Sequence, residues 1–194
     1  MGLIVVTLYF ATKNLGKFKE AKLLMMEYGV SLERLDADKV EIQSDSIEEI
    51  ASYAASDLAS KFKVTVVVED AGLFIRTLKG FPGPYSSYVY KTLGLWGLLK
   101  LMNGLDDRRA YFLSAVAYSE PGGFVKVFTG KVEGFITGRP RGRGGFGFDP
   151  IFKPMEGDGR TFAEMDTSEK NRLSHRARAF RKLALWLREK KMRC

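Results

Sequence analysis

Near the start of the chain, a strand-forming run leads through a short polar segment into a helix-forming pattern. Residues Ile4 to Phe10 are mostly β-branched or aromatic, and the following segment, Thr12 to Lys17, is polar and contains Gly16. Apolar residues then recur at the spacing of one helix face, at Ala21, Leu24, Met25 and Tyr28. This order of strand, loop and helix is the first unit of an α/β fold.

A second helix and a second strand follow. Ser46 with Glu49 three residues later is a capping-box pattern, which predicts the start of a helix. The buried face of that helix is expected at Ile47, Ile50, Ala51, Ala54 and Leu58. The run from Val64 to Val68 then predicts a strand that leads directly into Glu69, Asp70, Ala71 and Gly72. Two carboxylates are therefore expected where a buried strand meets a glycine.

Loops and strands alternate in the second half of the chain. Glycine and proline mark a loop from Gly80 to Pro84, and a short helix is predicted from Leu93 to Met102. The runs from Tyr111 to Tyr118 and from Phe124 to Phe128 predict a β-hairpin. Val132 to Thr137 is expected to form a further strand.

The basic, glycine-rich stretch from Gly138 to Gly145 is typical of an irregular loop. Neither an internal repeat nor a long linker interrupts the sequence, which predicts one domain over residues 1–194. Crossover helices combined with hairpins favour an α/β class with a mixed sheet.

Composition excludes several classes of protein. With 45% hydrophobic and 28% charged residues, the chain has the make-up of an ordinary soluble domain. The single cysteine, Cys194, can form neither an internal disulfide nor a cysteine-rich zinc site. The apolar run from Gly2 to Ala11 has no basic leader and is far shorter than the roughly 20 residues that cross a bilayer. We therefore expect a cytoplasmic protein without a membrane segment.

The net charge of +8 is concentrated in one segment. Between Glu169 and Cys194 there are ten Lys or Arg residues and two Glu residues, so the rest of the chain is neutral overall. Such a segment could bind phosphates, or it could be the solvated face of a terminal helix. Ser174 is a good N-cap, and a helix beginning there would bury Ala177, Phe180, Ala184 and Leu187. His175 and Arg176 would then lie at a helix N-terminus, which favours anions.

Three groups of residues could carry chemistry: the loop Thr12 to Lys17, the acids Glu41, Glu69 and Asp70, and the trio Lys170, His175 and Arg176. Each also has an ordinary explanation. The loop lacks the spacing of a Walker motif, acids at a strand end can cap helices, and a histidine beside arginine is by default an exposed helix residue. Together, however, they suit a nucleoside triphosphate site in which lysines and amides hold phosphates and carboxylates hold Mg²⁺.

Five motifs occur in order over nearly the whole chain. They are Thr12 to Lys17, Val68 to Leu73, Gly80 to Ser86, Phe146 to Pro150, and the stretch from Phe162 through Glu169-Lys170-Asn171 to Ser174-His175-Arg176. Together they resemble the inosine triphosphate pyrophosphatase family. Each motif alone is a modest signal, whereas five in order at appropriate spacings identify the chain as a member of that family.

The resemblance implies hydrolysis of ITP, dITP and XTP to the nucleoside monophosphate and pyrophosphate, with Mg²⁺ as cofactor. It implies an elongated α/β fold, in which a long mixed sheet with flanking helices forms two lobes around a central nucleotide-binding cleft. It also implies that the protein is a homodimer and that its substrate is a purine nucleoside triphosphate. We expect neither a membrane nor a specific nucleic acid as a partner.

The same resemblance implies roles for individual residues. Asp70 would be the catalytic proton acceptor and, with Glu41, a metal-site residue. The substrate would be contacted by Thr12, Lys13, Asn14, Leu15, Gly16, Lys17 and Ala71. The base pocket would be lined by Phe146, Gly147, Phe148 and Asp149. The nucleotide site would be completed by Lys170, His175 and Arg176.

Two positions depart from the family pattern. Phe148 stands where tyrosine or tryptophan is common, which keeps an aromatic face but loses a polar group. A lysine often found on the second helix falls on Ala54, so we expect the phosphate charge to be met by Mg²⁺ and by Lys13, Lys17 and Lys170. The resemblance also implies that the helix start at Ser174 places Arg176 and His175 at the base edge. Base choice is then expected at Arg176, because its guanidinium only donates hydrogen bonds and a 6-oxo purine presents an acceptor.

Two other functions stay open at this point. A related Maf-type nucleotide pyrophosphatase would use a similar cleft for a different base. A nucleic-acid-binding module could use the C-terminal basic helix and the loop from Arg139 to Arg143, with binding that weakens steeply as salt rises. The ordered acidic motifs have no role in that second alternative.

Overall fold

The computed structural model of the chain describes residues 6–192, so Gly2 to Val5 and Cys194 lie outside the described residues. Within them, seven strands are formed by Val6–Ala11 (β1), Val30–Leu35 (β2), Val66–Ile75 (β3), Pro82–Gly83 (β4), Arg109–Ser119 (β5), Val125–Ile136 (β6) and Phe152–Pro154 (β7). Six α-helices are formed by Leu15–Glu27 (α1), Ile47–Phe62 (α2), Ser86–Thr92 (α3), Gly94–Leu101 (α4), Thr167–Leu173 (α5) and His175–Met192 (α6).

The strands form a mixed sheet in the order β2-β1-β3-β5-β6-β7, and β4 pairs with β3 outside this order. Strand β1 runs parallel to both β2 and β3. Strand β4 is antiparallel to β3, and β7 is antiparallel to β6. The α/β class with a mixed sheet is thus confirmed.

The chain folds as two compact units. The first unit contains residues up to Asp70, Ser114–Gly130 and the chain from Arg176 onward, and the second contains Ala71–Leu113 and Lys131–His175. In the first unit, Phe10 packs edge-on against Phe180, with ring centroids 5.3 Å apart. In the second unit, Phe112 packs against Phe152 at 4.6 Å. Each unit has its own apolar core, and the prediction of one domain over residues 1–194 stays a prediction.

Several predicted elements are confirmed. Helix α2 begins after Ser46, whose side chain accepts a hydrogen bond from the Glu49 N–H at 3.2 Å, and the predicted apolar face is buried. The predicted helix break is also present, because α5 ends at Leu173 and Ser174 has an extended backbone. Helix α6 follows at once and buries the four residues of the expected stripe: Ala177, Phe180, Ala184 and Leu187.

Other predictions were wrong in extent. The sequence pattern missed β2, in which exposed Glu33 and Arg34 interrupt the apolar residues of an edge strand, and it missed α3. The predicted strands Phe124 to Phe128 and Val132 to Thr137 belong to one continuous strand, β6. Here sheet pairing overrides the polar residues that break the local pattern.

The expected end of a strand at Glu69 and Asp70 was also wrong. Strand β3 continues through both acids to Ile75, and β4 pairs with its last residues, at Leu73 and Phe74. Gly72 permits this pairing, because a Cβ atom there would lie 2.4 Å from the carbonyl oxygen of Gly83. The two carboxylates are therefore held in the interior of a strand and not in a loop.

None of the helices within residues 6–192 combines the length and the apolar character that crossing a membrane requires.

Candidate functional site

The polar segment after β1 is mostly a helix start. Asn14 caps α1 by accepting a hydrogen bond from the Lys17 N–H at 3.0 Å, so Leu15, Gly16 and Lys17 form the first turn of a helix and not the predicted loop. Thr12 is buried, and its Oγ1 accepts from the Asn14 N–H at 3.1 Å. The N–H groups of this turn lie at a helix N-terminus, which favours anions.

The side chains of this segment differ in exposure. Leu15 is 66% exposed, and Lys13 is exposed and forms an ion pair with Asp38. Lys17 is half-buried and turns toward β3, where its Nζ lies 2.8 Å from Glu69 Oε2. Of the two lysines in this segment, Lys17 is thus the one that the fold orients more firmly.

Glu69 and Asp70 are adjacent in β3, and successive residues of a strand point to opposite faces of the sheet. Glu69 is 1% exposed, whereas Asp70 is half-buried. The alternation gives two neighbouring carboxylates two different environments.

Glu69 belongs to a buried group of charges in the first unit, which we call the Glu69 network: Lys17, Glu20, Glu69, Ser114 and Arg176. Ser114 Oγ donates to Glu69 Oε1 at 2.8 Å, and Arg176 Nη2 lies 3.1 Å from the same oxygen. The other end of the guanidinium, Nη1, donates to Glu20 Oε2 at 2.7 Å. Two carboxylates and two cations balance, and pairing of this kind is what makes buried charges tolerable.

Asp70 lies close enough to the Glu69 network for the charges of the network to act on it. Burial raises the pKa of its carboxyl group above the ordinary aspartate value, the positive charge of Lys17 opposes the rise, and the negative charge of Glu69 adds to it. A carboxylate with a raised pKa holds a proton more readily near neutral pH, which suits a general base. Glu41, the other predicted metal residue, is exposed and lies 3.1 Å from Lys39 Nζ.

The predicted base-pocket residues lie in the second unit. Asp149 Oδ2 lies 2.5 Å from Lys170 Nζ, and the side chains of both residues are at most 4% exposed. The same oxygen accepts a hydrogen bond from the Phe146 N–H at 2.8 Å. Gly147 has a φ of 60°, a left-handed conformation that glycine adopts at low cost, and this turn brings Phe146 and Asp149 together.

Aromatic rings surround these groups. The Phe146 ring lies 4.6 Å from Lys170 Nζ, within the range of a cation–π contact. Phe148 is 3% exposed and meets Tyr90 edge-on at 5.5 Å. His175 stacks on Phe112 at 4.5 Å and is 3% exposed, so its ordinary interpretation as an exposed helix residue was wrong.

The remaining predicted residues have these positions. Ala71 is half-buried in β3 and belongs to the second unit. Arg176 is 2% exposed and contacts Glu20 and Glu69 within the first unit. Ala54, where the family lysine would fall, is buried in α2.

Sequence reasoning missed Glu20 and Ser114. Glu20 carried a signal, since it follows Lys17 by three residues and lies on the helix face that also buries Ala21 and Leu24. Ser114 carried none, because its partner Glu69 is 45 residues away and is brought to it by the fold.

A model of the Ham1 family matches residues 8–186, which is nearly the whole chain. The chain belongs to the Ham1 family. The resemblance inferred from the five motifs is thereby confirmed.

Members with assigned activities are similar over almost their full lengths. The chain is 52% identical over 177 residues to the dITP/XTP pyrophosphatase of Methanopyrus kandleri, with 91% of this chain and 94% of that protein covered. It is 52% identical over 182 residues to the dITP/XTP pyrophosphatase of Thermococcus kodakarensis, with 94% and 97% covered.

Solved structures of Ham1 proteins have the same fold. The Staphylococcus aureus Ham1 protein superposes with a TM-score of 0.81 at 30% identity, covering 95% of this chain and 99% of that chain. The Coxiella burnetii Ham1 protein superposes with a TM-score of 0.82 at 29% identity, covering 95% and 100%.

Proposed function

We propose that the chain hydrolyses deaminated purine nucleoside triphosphates, namely ITP, dITP and XTP, to the nucleoside monophosphate and pyrophosphate. The enzyme class, a nucleoside triphosphate pyrophosphatase, is the one that the named Ham1 relatives carry and is confirmed. Such an enzyme removes deaminated purines from the nucleotide pool. We further propose that the enzyme is cytoplasmic and that it is a homodimer. Light scattering of the purified protein would test whether it is a homodimer.

The observation that carries the proposal is the half-buried Asp70 beside a helix N-terminus that presents Lys17. In the reaction, the bond between the α- and β-phosphates breaks, and the oxygen of a water molecule forms the new bond to phosphorus. We assign to Asp70 the acceptance of the proton that this water loses. The first turn of α1 and the ammonium of Lys17 bind phosphate oxygens, which become more negative as the bond breaks.

The donors in this region fit Mg²⁺. Asp70 and Glu41 offer carboxylate oxygens, which are the protein ligands that Mg²⁺ prefers, and the two carboxylates are close enough for the charge of Glu41 to contribute to the raised pKa of Asp70. Within the described residues, no group of three His, Cys, Asp or Glu is placed to hold a metal ion. One or two carboxylates together with substrate phosphates is the mode that Mg²⁺ commonly uses. When bound, the ion would supply positive charge to the triphosphate and lower the pKa of a water ligand.

The first test identifies the reaction and its proton acceptor. The protein is incubated with dITP or XTP and Mg²⁺, and release of pyrophosphate, not orthophosphate, is expected. Asp70→Asn should lower kcat by at least about 100-fold, the lower end of a general-base contribution. Asp45→Asn, at an exposed acid of the first unit, is the matched control and should keep full turnover. Near-normal turnover of folded Asp70→Asn would refute the assignment.

The second test concerns Arg176. Its contacts with Glu20 and Glu69 favour a positioning role over the base contact expected from the sequence. We measure kcat/KM for dITP, XTP, GTP and ATP in the wild type and in Arg176→Ala. A similar loss on all four substrates is expected. A loss confined to the 6-oxo purines would return Arg176 to base recognition.

A further inference from the structure

Ser114 is a fully buried serine in the middle of β5, and the family resemblance assigns it no role. Its Oγ donates to Glu69 Oε1 at 2.8 Å, and Arg176 Nη2 lies 3.1 Å from that same oxygen. Two donors from two different elements therefore meet at one carboxylate oxygen. Together they fix the rotation of the Glu69 carboxylate about its last side-chain bond.

The second oxygen of Glu69 has a different partner. Oε2 lies 2.8 Å from Lys17 Nζ. Because a carboxylate is planar, holding Oε1 also fixes the direction in which Oε2 points. The Lys17 side chain is 18% exposed, whereas those of Glu69 and Arg176 are 0% and 3% exposed. Lys17 is thus the charged end of this chain of contacts that reaches solvent.

We propose that Ser114 is a positioning residue for the triphosphate: by holding Glu69, it sets where the ammonium group of Lys17 lies. The proposal rests on the function proposed above and adds a residue that touches no substrate. Without the hydroxyl, Glu69 keeps Arg176 but its carboxylate gains freedom to rotate. Lys17 then loses a fixed partner, and the phosphates have to order a flexible lysine as they bind, which weakens binding.

The experiment compares two serines of one strand. Ser119 is as fully buried as Ser114, and its Oγ has no hydrogen-bond partner within residues 6–192. Ser114→Ala is expected to raise KM for dITP and Kd for inorganic triphosphate about five- to tenfold, as part of a charge-assisted hydrogen bond is lost, with kcat changed less than about twofold. Ser119→Ala should leave KM, kcat and Kd unchanged. The Kd is measured by titration calorimetry with Mg²⁺ present.

Ser114→Cys keeps a weaker donor of similar size and should give an intermediate rise of about two- to threefold. This variant also serves if Ser114→Ala does not fold. A lower melting temperature with unchanged KM and Kd in either variant would mean a purely structural role and would overturn the proposal. A wild type that binds inorganic triphosphate but does not hydrolyse dITP would refute the proposed function alone, since the Kd comparison still decides the role of Ser114.

Discussion

The two units each bury a lysine against a carboxylate, but they do so in different surroundings. In the first unit, Lys17 contacts Glu69 within a network that includes a second carboxylate, an arginine and a serine, and its side chain is partly exposed. In the second unit, Lys170 contacts Asp149 with almost no exposure of either side chain. Rings of Phe146 and Phe162 face its ammonium group.

The difference shows what each arrangement can do. A lysine at the solvent edge of a polar network can donate to a phosphate oxygen while it keeps its carboxylate partner. A sealed pair could reach a phosphate only by opening, which would leave a charge in a site of low dielectric. The first unit is therefore suited to binding phosphate, and the Lys170 pair is suited to fixing the turn from Phe146 to Asp149.

The largest loss of stability is expected at the pair of Lys170 and Asp149. Asp149→Ala leaves the Lys170 ammonium without its carboxylate, and the expected loss in the free energy of unfolding is about 3–5 kcal/mol, as for other broken buried pairs. Urea unfolding measures it. Asp158→Ala removes an exposed partner of Arg160 in the same unit and should leave the urea midpoint nearly unchanged. If both variants lose equally little, the pair is not sealed.

A smaller effect is expected in the Glu69 network. Glu20→Gln keeps an acceptor for Arg176 but removes the charge, and Arg176 retains Glu69. The expected loss is about 2 kcal/mol, the range of a hydrogen bond to a charged group. The same urea experiment applies. A loss as large as that of Asp149→Ala would show that the Glu69 network tolerates the removal of one charge no better than the pair of Lys170 and Asp149 does.

The smallest effect, with the opposite sign, is expected at Asp70. Burial raises the pKa of its carboxyl group in the folded chain above the ordinary value of 3.8, so the unfolded chain ionises first as pH rises. Stability is therefore lost as pH rises from about 4 and levels off above the raised pKa. Asp70→Asn should be more stable than the wild type at pH 7 and equal to it near pH 3.

Melting temperatures at the two pH values measure this effect. A variant less stable than the wild type at pH 7 would mean that Asp70 is held by favourable contacts and not strained by burial.

The parts of the fold that were predictable carry local signals. Helix α2 has a cap at Ser46 and a regular apolar face, and the break before α6 has Ser174, so both could be read from neighbouring residues. Strand β2 could not, because its polar residues are tolerated only at the edge of the sheet. The continuation of β3 depends on pairing with Pro82 and Gly83, which no local pattern indicates.

The same contrast holds for the candidate site. Lys17 and Asp70 were predicted as site residues because they lie in recognisable motifs, and Lys170 and Asp149 for the same reason. Their partners were harder to find. Arg176 reaches Glu20 across 156 residues of sequence, and the spacing of neither residue predicts the contact. The motifs therefore indicate which charged side chains belong to the candidate site, and only the fold shows which of these side chains neutralise each other.

Placing Glu69 inside β3 has a consequence for how the strand finds its register. Val66, Val67 and Val68 are each fully buried, and they pair beside β1 at positions 9, 10 and 11. A slip by one residue would replace valine with valine at two of these positions, so apolar burial alone distinguishes the two alignments weakly. Glu69 does distinguish them, because a slip would remove a buried carboxylate from Ser114, Arg176 and Lys17. The carboxylate that orients Lys17 in the folded protein thus also disfavours a one-residue shift in the pairing of β3 with β1.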